Sequence, residues 1–164
     1  MTGPALRIVT LSTGHDRSNF TSGSEPLDHY FRQRVTQDIR RRVTACFVAV
    51  TPEERIAGYY TLASASLVLA ELPPEIVRRL PRYPSIPAVR LGRLAVDRDF
   101  RRKGLGGALL ADGLARAARA EIAAFAMTVD AKDEDALRFY IHHGFIPLPD
   151  SPTKLFLPLA TVRP

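Results

Sequence analysis

Apolar residues recur at helical spacing in residues 24–42, where Leu27, Tyr30, Phe31, Val35 and Ile39 share one face. Ser24 is a candidate cap and Pro26 suits a first turn, so the pattern predicts a helix over 24–42. Ahead of it, ALRIVTL (5–11) predicts a strand. VTACFVAV (43–50) and IAGYYTLASASLVL (56–69) are rich in β-branched and aromatic residues, and the polar TPEER between them predicts a hairpin. Residues 70–89 carry prolines at 73, 74, 81, 84 and 87. Proline has no N–H to give a central strand, so this predicts a loop holding at most one short helix, PEIVRRL. A loop that long inside a domain is more often functional than idle. RLGRLAVD (90–97) predicts a strand, residues 104–123 an alanine-rich helix and FAMTVDA (125–131) a strand. DEDALRFYIHHG (133–144) predicts a short helix capped by Asp133 and ended by Gly144, with His142 and His143 at its negative end. FIPL and TKLFLPL predict two closing strands. The resulting order of elements predicts a mixed α/β (α+β) sheet rather than a strictly alternating parallel one.

Length and composition narrow the class. At 164 residues, 46% hydrophobic and 24% charged, the chain reads as one soluble globular domain over residues 1–164, with no repeat. No apolar run reaches the roughly 18 residues of a membrane span. The opening MTGPALRIVT lacks the pattern of a secretory leader, and Cys46 is the single cysteine, which together point to the cytoplasm. Cys46 lies in an apolar strand and reads as packing. The net charge is +6. Of 23 basic residues only Lys103, Lys132 and Lys154 are lysine, leaving twenty arginines. That bias fits either polyanionic partners or the codon usage of a GC-rich genome, so the positions of the arginines must decide.

The stretch RRKGLGG (101–107) follows a strand and opens a helix. Glycine gives up more backbone freedom on folding than any other residue, and like charges repel, so such a turn is costly unless it binds something. A strand, a glycine turn and a helix N-terminus aim main-chain N–H groups at one point, where the helix dipole adds about half a positive charge. The chemistry that fits is a phosphate or diphosphate; a solvated helix cap is the other reading. Two phosphate loops are excluded by spacing. A Walker loop ends in Gly-Lys-Ser/Thr, whereas Gly106 is followed by Gly107 and Ala108. The dinucleotide fingerprint requires a small residue where Leu109 stands.

Arg101-x-x-Gly104-x-Gly106 after LAVD resembles the acetyl-CoA pyrophosphate loop of the GNAT superfamily of N-acetyltransferases. Ala136, Phe139, Tyr140, Gly144 and Phe145 resemble that family's final conserved segment. The blocks FTSGSEPLDHYF (20–31), GYYTLASASL (58–67), LPRYPSIPAVRLGRLAVD (80–97) and VDAKDEDALRFYIHHGF (129–145) resemble the acetyltransferase toxins of type II toxin–antitoxin modules. Arg101 stands where glutamine is common, a permitted variant.

The resemblance implies a GNAT fold, with a mostly antiparallel central sheet of six or seven strands flanked by helices and splayed at the fourth and fifth strands. It implies acetyl transfer from acetyl-CoA, a cosubstrate, to the α-amino group of aminoacyl-tRNA, which blocks translation. It also implies a homodimer and a ribbon-helix-helix antitoxin as partner. The strand segment Leu94, Ala95 and Val96 would offer a backbone N–H to the thioester carbonyl, stabilising developing negative charge. Arg101, Arg102, Lys103, Gly104, Leu105, Gly106 and Gly107, with Ala136, are the remaining coenzyme-binding positions. Tyr140 resembles the general acid; a phenol near pKa 10 keeps its proton at neutral pH and can donate to a leaving thiolate. From its position alone, without the resemblance, Tyr140 reads first as a core aromatic on a short helix. No general base stands out; the amine of an aminoacyl ester is expected to be more acidic than an ordinary α-amino group, so a water relay could suffice, and that position is left empty.

Arg40, Arg41, Arg42, Arg78, Arg79, Arg82, Arg90 and Arg93 flank the proposed cleft in sequence. Each alone reads as a solvated charge; together they would place an RNA backbone without reading much sequence. Adjacent His142 and His143 diverge on a helix, and His15 and His29 have no spaced ligand partners, so no metal site is expected. Two other readings remain open: a GNAT enzyme acting on a small-molecule or protein amine, and a module that holds coenzyme or RNA without turnover.

Overall fold

A computed structural model describes residues 5–162; residues 1–4 of the opening stretch lie outside the described residues. The strands are β1 (Arg7–Thr10), β2 (Ala45–Val50), β3 (Ile56–Val68), β4 (Ser85–Val96), β5 (Ala126–Asp130), β6 (Ile146–Leu148) and β7 (Ser151–Pro158). They form one sheet in the order β1-β2-β3-β4-β5-β7-β6. β1 with β2, β2 with β3, β5 with β7 and β6 with β7 pair antiparallel, and β4 with β5 is a parallel pair. The sheet is therefore mixed and mostly antiparallel. The parallel register covers Ala88–Arg90 against Ala126–Thr128, while β5 stays in register with β7 as far as Asp130.

Two compact units divide the chain: residues up to Ala63 with Gly92–Gly113, and Ser64–Leu91 with the residues from Leu114 on. In the first, Phe31 stacks on Tyr59 with ring centroids 4.1 Å apart, and Phe20 meets both rings edge-on. Val35, Cys46, Val48 and Ile56 complete that core. Cys46 is fully enclosed and burial pushes its thiol up to about 12, which makes it inert packing. In the second, Leu67, Leu72, Ile86, Ala88, Leu148 and Phe156 form the core.

Four boundaries differ from the sequence pattern. The helix expected over 24–42 is three pieces: α1 (Glu25–His29), a π turn (Tyr30–Arg34) and α2 (Val35–Arg40). Apolar residues at 27, 31, 35 and 39 recur every fourth position, which overruns a 3.6-residue turn by about 40° each time. The wider π turn takes up that drift and keeps the stripe on the core. Ser24 makes no side-chain cap at the start of α1. The capping is inverted: the buried Asp28 carboxylate accepts from the Ser22 N–H at 3.0 Å and from its hydroxyl at 2.6 Å.

The loop expected over 70–89 holds α3 (Pro74–Val77) but ends early, because β4 begins at Ser85 and includes Pro87. The Pro87 carbonyl accepts from the Phe125 N–H at 2.9 Å. Residue N–H and C=O groups in a strand face the same edge, so the donor that Pro87 lacks falls ahead of β5 and costs the ladder nothing. The helix expected over 104–123 is α4 (Leu105–Arg119) and stops before Ala120. The first hairpin strand starts at Ala45, after Arg42 turns the chain at φ 60°. α5 (Glu134–His142) follows the expectation: Asp133 accepts from the Ala136 N–H at 2.8 Å, and Gly144 follows at φ 93°.

Close packing of α4 on β3 in the first unit depends on Gly58. A Cβ there would lie 2.8 Å from Leu109 Cδ1 and 3.0 Å from the Ala95 carbonyl oxygen. Overpacking of this kind costs about 1–3 kcal/mol. Gly58→Ala is expected to lower Tm by several degrees, at about 2–4 °C per kcal/mol for a chain of this size. Thermal unfolding followed by circular dichroism measures it; an unchanged Tm would mean the helix moves away freely.

Candidate active site

In the first unit the end of β4 is fixed by Asp97, a residue only 3% exposed. Its N–H donates to the Ala57 carbonyl on β3 at 2.8 Å. Its carboxylate accepts from the Thr21 N–H at 3.0 Å, from the Asp99 N–H at 3.0 Å and from the Arg55 guanidinium at 3.3 Å. Arg55 also bonds Asp99 at 2.6 Å, which holds the Asp99 carboxyl below the ordinary range, and it sits 5.0 Å over the Phe100 ring. The short 3-10 turn Arg98–Phe100 is thereby capped and Phe100 is buried.

The expected phosphate turn follows directly. Arg102 adopts φ 61° and Gly104 φ 77°, and α4 begins at Leu105 with the Ala108 N–H donating to the Gly104 carbonyl at 3.1 Å. The first four N–H groups of a helix have no partner within it, so this end presents free donors. A Cβ built on Gly104 meets nothing within 4 Å, so its surroundings are open. Left-handed residues next to a helix N-terminus form a concave array of N–H groups suited to an anion. Lys103 and Gly104, with Leu6, Ile8, Phe100 and Ala108, line a cavity of about 260 Å³. Arg102 and Lys103 are exposed, while Leu105 is buried and Gly106 and Gly107 are half-buried.

Arg101 behaves differently from its neighbours. Its guanidinium donates to the Ser22 carbonyl, and a Cβ on Gly23 would collide with it. Of the expected coenzyme positions, Arg101–Gly107 thus come together on one turn, and the Arg101 side chain is spent on the 20–24 loop. Leu94 and Val96 are half-buried and Ala95 is buried at the end of β4.

In the second unit Tyr140 lies on α5 with 7% exposure, its ring 5.2 Å from Phe139 and 5.4 Å from Phe145. The Phe145 N–H closes onto the Tyr140 carbonyl at 3.0 Å. Burial pushes the Tyr140 phenol up to about 12. Ala136, half-buried, donates its N–H to the Asp133 cap. Burial lowers His143 from its ordinary value, with a further push from His142. Among the described residues no three His, Cys, Asp or Glu side chains are grouped to hold a metal ion.

The candidate RNA-binding arginines fall into two sets. Arg40, Arg41 and Arg42 are exposed at the end of α2, and Arg78, Arg79 and Arg82 are exposed after α3. Arg90 is paired with Asp130 at 3.0 Å, and Arg93 lies 3.4 Å over the Tyr30 ring. The Tyr30 hydroxyl donates to Asp38 at 2.7 Å, and burial followed by that bond raises its pKa. The sequence pattern does not mark Asp97 and Asp28 as anchors. A carboxylate at a strand end or inside a helix carries no motif; only the extended, bond-hungry loop between β1 and α1 hints at a need for acceptors.

Comparison with known proteins gives the family. The model of the acetyltransferase (GNAT) domain matches residues 21–155. A tRNA-acetylating toxin of Mycobacterium tuberculosis is 35% identical over 155 residues, covering 93% of this chain and 92% of that protein. A probable toxin TacT of Sinorhizobium fredii is 31% identical, covering 99% and 96%. Among solved structures, AtaT complexed with acetyl-methionyl-tRNAfMet is 30% identical with a TM-score of 0.89, covering 96% of this chain and 97% of that one. A tyrosine-to-phenylalanine variant of AtaT, bound to the C-terminus of the antitoxin AtaR and acetyl-CoA, is 27% identical with a TM-score of 0.80, covering 96% and 95%. The chain belongs to the GNAT acetyltransferase family.

Proposed function

We propose that this protein is an acetyl-CoA-dependent N-acetyltransferase that modifies the α-amino group of aminoacyl-tRNA and so stops translation as the toxin of a toxin–antitoxin pair. The observation that carries this reading is the likeness, over nearly the whole of both chains, to a tRNA-acetylating toxin. On this reading the two units work as one catalytic domain, two copies pair, and a ribbon-helix-helix antitoxin restrains the toxin in the cytoplasm. The antitoxin-bound AtaT variant supports a restraining partner. Among the described residues no helix is long and apolar enough to cross a membrane.

The residues present fit the coenzyme. The open space at Gly104, the left-handed Arg102 and Gly104 and the free N–H groups of α4 suit a diphosphate. Acetyl-CoA, when bound, supplies the thioester. The Leu94–Val96 main chain polarises the carbonyl by an N–H. Tyr140 would give its phenolic proton to the departing sulfur and regain one, through water, from the proton the attacking amine sheds, a role that needs a group still protonated at neutral pH. With its pKa raised to about 12, the phenol keeps that proton throughout the working range. Arg40–Arg42 and Arg78, Arg79 and Arg82 hold the RNA backbone, with Arg93 fixed against Tyr30 as a rigid contact.

Labelled acetyl-CoA incubated with charged and with uncharged bulk tRNA tests the reading. Label on charged tRNA alone is expected. Label on polyamines or protein, with none on charged tRNA, would assign the enzyme to another amine. Tyr140→Phe is expected to lower kcat about 10²- to 10⁴-fold with coenzyme binding intact. In the unsubstituted enzyme, the pH profile up to pH 10 should show no alkaline loss from this phenol, because deprotonation begins only as pH approaches about 12. A limb near pH 10 that vanishes in Tyr140→Phe would keep Tyr140 as the acid but contradict its raised pKa; an alkaline limb that persists unchanged in Tyr140→Phe belongs to another group.

Gly104→Ala separates folding from coenzyme binding. The left-handed backbone costs a non-glycine residue about 1–2 kcal/mol, so Tm should fall by a few degrees. Affinity for acetyl-CoA measured by calorimetry should fall at least about tenfold, equivalent to about 1.4 kcal/mol. Equal affinity would move the diphosphate elsewhere. Replacing Arg40–Arg42 together by alanine should flatten the plot of log K against log salt for tRNA binding. The slope should drop by about 0.7–0.9 for each phosphate that is no longer neutralised. An unchanged slope would remove these residues from the RNA surface.

A further inference from the structure

The segment between α3 and β4 displays an aromatic ring outward. Tyr83 is 63% exposed, although it stands in a short stretch between Pro81 and Pro84. The stretch is held by its own backbone: the Leu80 N–H bonds the Val77 carbonyl at 3.0 Å, the Tyr83 N–H bonds the Pro81 carbonyl at 2.9 Å, and the Leu69 N–H bonds the Pro84 carbonyl at 3.1 Å. Proline already restricts φ, so the ring is presented at low entropic cost to any partner.

Tyr83 forms one wall of an open groove of about 670 Å³, with Leu69, Val77, Leu80 and Pro84 as its apolar surface. Leu69, Val77 and Leu80 also pack into the core of the second unit, so this surface is firm. Arg78 and Arg82 line the same groove. Neither takes part in an ion pair among the described residues, in contrast to Arg90, which Asp130 neutralises. The groove therefore offers a flat π face, an apolar surface and two unneutralised guanidinium forks.

We propose that this groove is a subsite for an unpaired nucleobase of the RNA substrate, its face on the Tyr83 ring and its flanking phosphates on Arg78 and Arg82. The proposal rests on the tRNA reading above, because a charged tRNA presents an unpaired 3′ end. A duplex hides the faces of its bases, so the site selects single-stranded nucleotides. Stacking on an aromatic side chain is sequence-tolerant, and truncating the aromatic weakens binding about five- to a hundredfold per base. An acidic peptide would satisfy the arginines but leave the exposed ring without a planar partner.

The chain contains no tryptophan. Tyr83→Trp therefore introduces a single indole at an exposed position where folding is not at stake. Its fluorescence is titrated with a short single-stranded RNA, a blunt RNA duplex of equal charge and an acidic peptide. Saturable quenching by the single strand alone is expected. Tyr83→Leu should weaken single-strand binding about tenfold with the salt slope unchanged, whereas Arg78→Ala with Arg82→Ala should reduce the slope. Equal quenching by the duplex, quenching by the peptide alone, or none at all overturns the subsite. Acetyl transfer to charged tRNA by the unsubstituted protein is measured alongside. Transfer without quenching removes the subsite only; quenching without transfer keeps it and removes the acetylation reading.

Discussion

One buried carboxylate, that of Asp97, holds together everything that could bind the coenzyme diphosphate. Asp97 directly follows β4, and its own N–H ties it to β3 through Ala57. Removed from water, the carboxylate needs donors on both oxygens, and it takes them from Thr21, Asp99 and Arg55. Hydrogen bonds to a charged group contribute about 1.5–3 kcal/mol each, and leaving one unmade costs at least as much. The carboxylate therefore fixes the direction in which the chain leaves β4, the 3-10 turn after it and hence the glycine turn and α4. A diphosphate site made of main-chain donors needs this rigidity, because a backbone N–H cannot be re-aimed by choosing another rotamer.

The loop before α1 is clamped from several sides for the same reason. Thr21 gives its N–H to Asp97 and its carbonyl to the Arg98 N–H. Ser22 gives its N–H and hydroxyl to Asp28 and its carbonyl to Arg101. The Phe20 carbonyl accepts from Arg32 at 2.7 Å, and the Phe31 carbonyl from Arg17 at 2.7 Å. A segment without helix or strand bonds must find partners for its buried backbone groups, and here side chains provide them. The loop and the 101–107 turn are consequently one bonded unit, so a change at Ser22, Gly23 or Asp28 acts on that turn through Arg101.

The features legible in the sequence are those set by local chemistry. Glycine at a left-handed turn, Asp133 at a helix cap, Cys46 in an apolar strand and the hairpin at TPEER each follow from the residue type at its own position. The rest depends on partners far along the chain. Ser24 looks like a cap, yet Asp28 takes the bonding role because Ser22, not Ser24, is the buried residue needing an acceptor. Pro87 looks like a strand breaker, yet its missing donor falls outside the β4–β5 ladder, which no local pattern reveals. Tyr83 reads from the sequence only as part of a loop, since exposure is a property of the folded surface.

Position divides the arginines into two groups. Codon usage supplies guanidinium groups without deciding where each will point. In this fold Arg17, Arg32 and Arg101 bond main-chain carbonyls of the 20–31 segment, and Arg55 serves Asp97 and Asp99. Lysine would fill these places poorly, because a planar fork can hold a carbonyl or carboxylate while resting on an aromatic ring, as Arg55 does on Phe100 and Arg17 on Phe31. Arg40–Arg42 and Arg78, Arg79 and Arg82 form the contrasting set, clustered where two short helices end and exposed. Clustered like charges repel, and neither cluster takes part in an ion pair among the described residues, whereas Arg55 and Arg90 face carboxylates. That concentration is a cost in the free protein which binding a polyanion would remove, so the same residue type is scaffold in one segment and, on the proposed function, docking surface in the other.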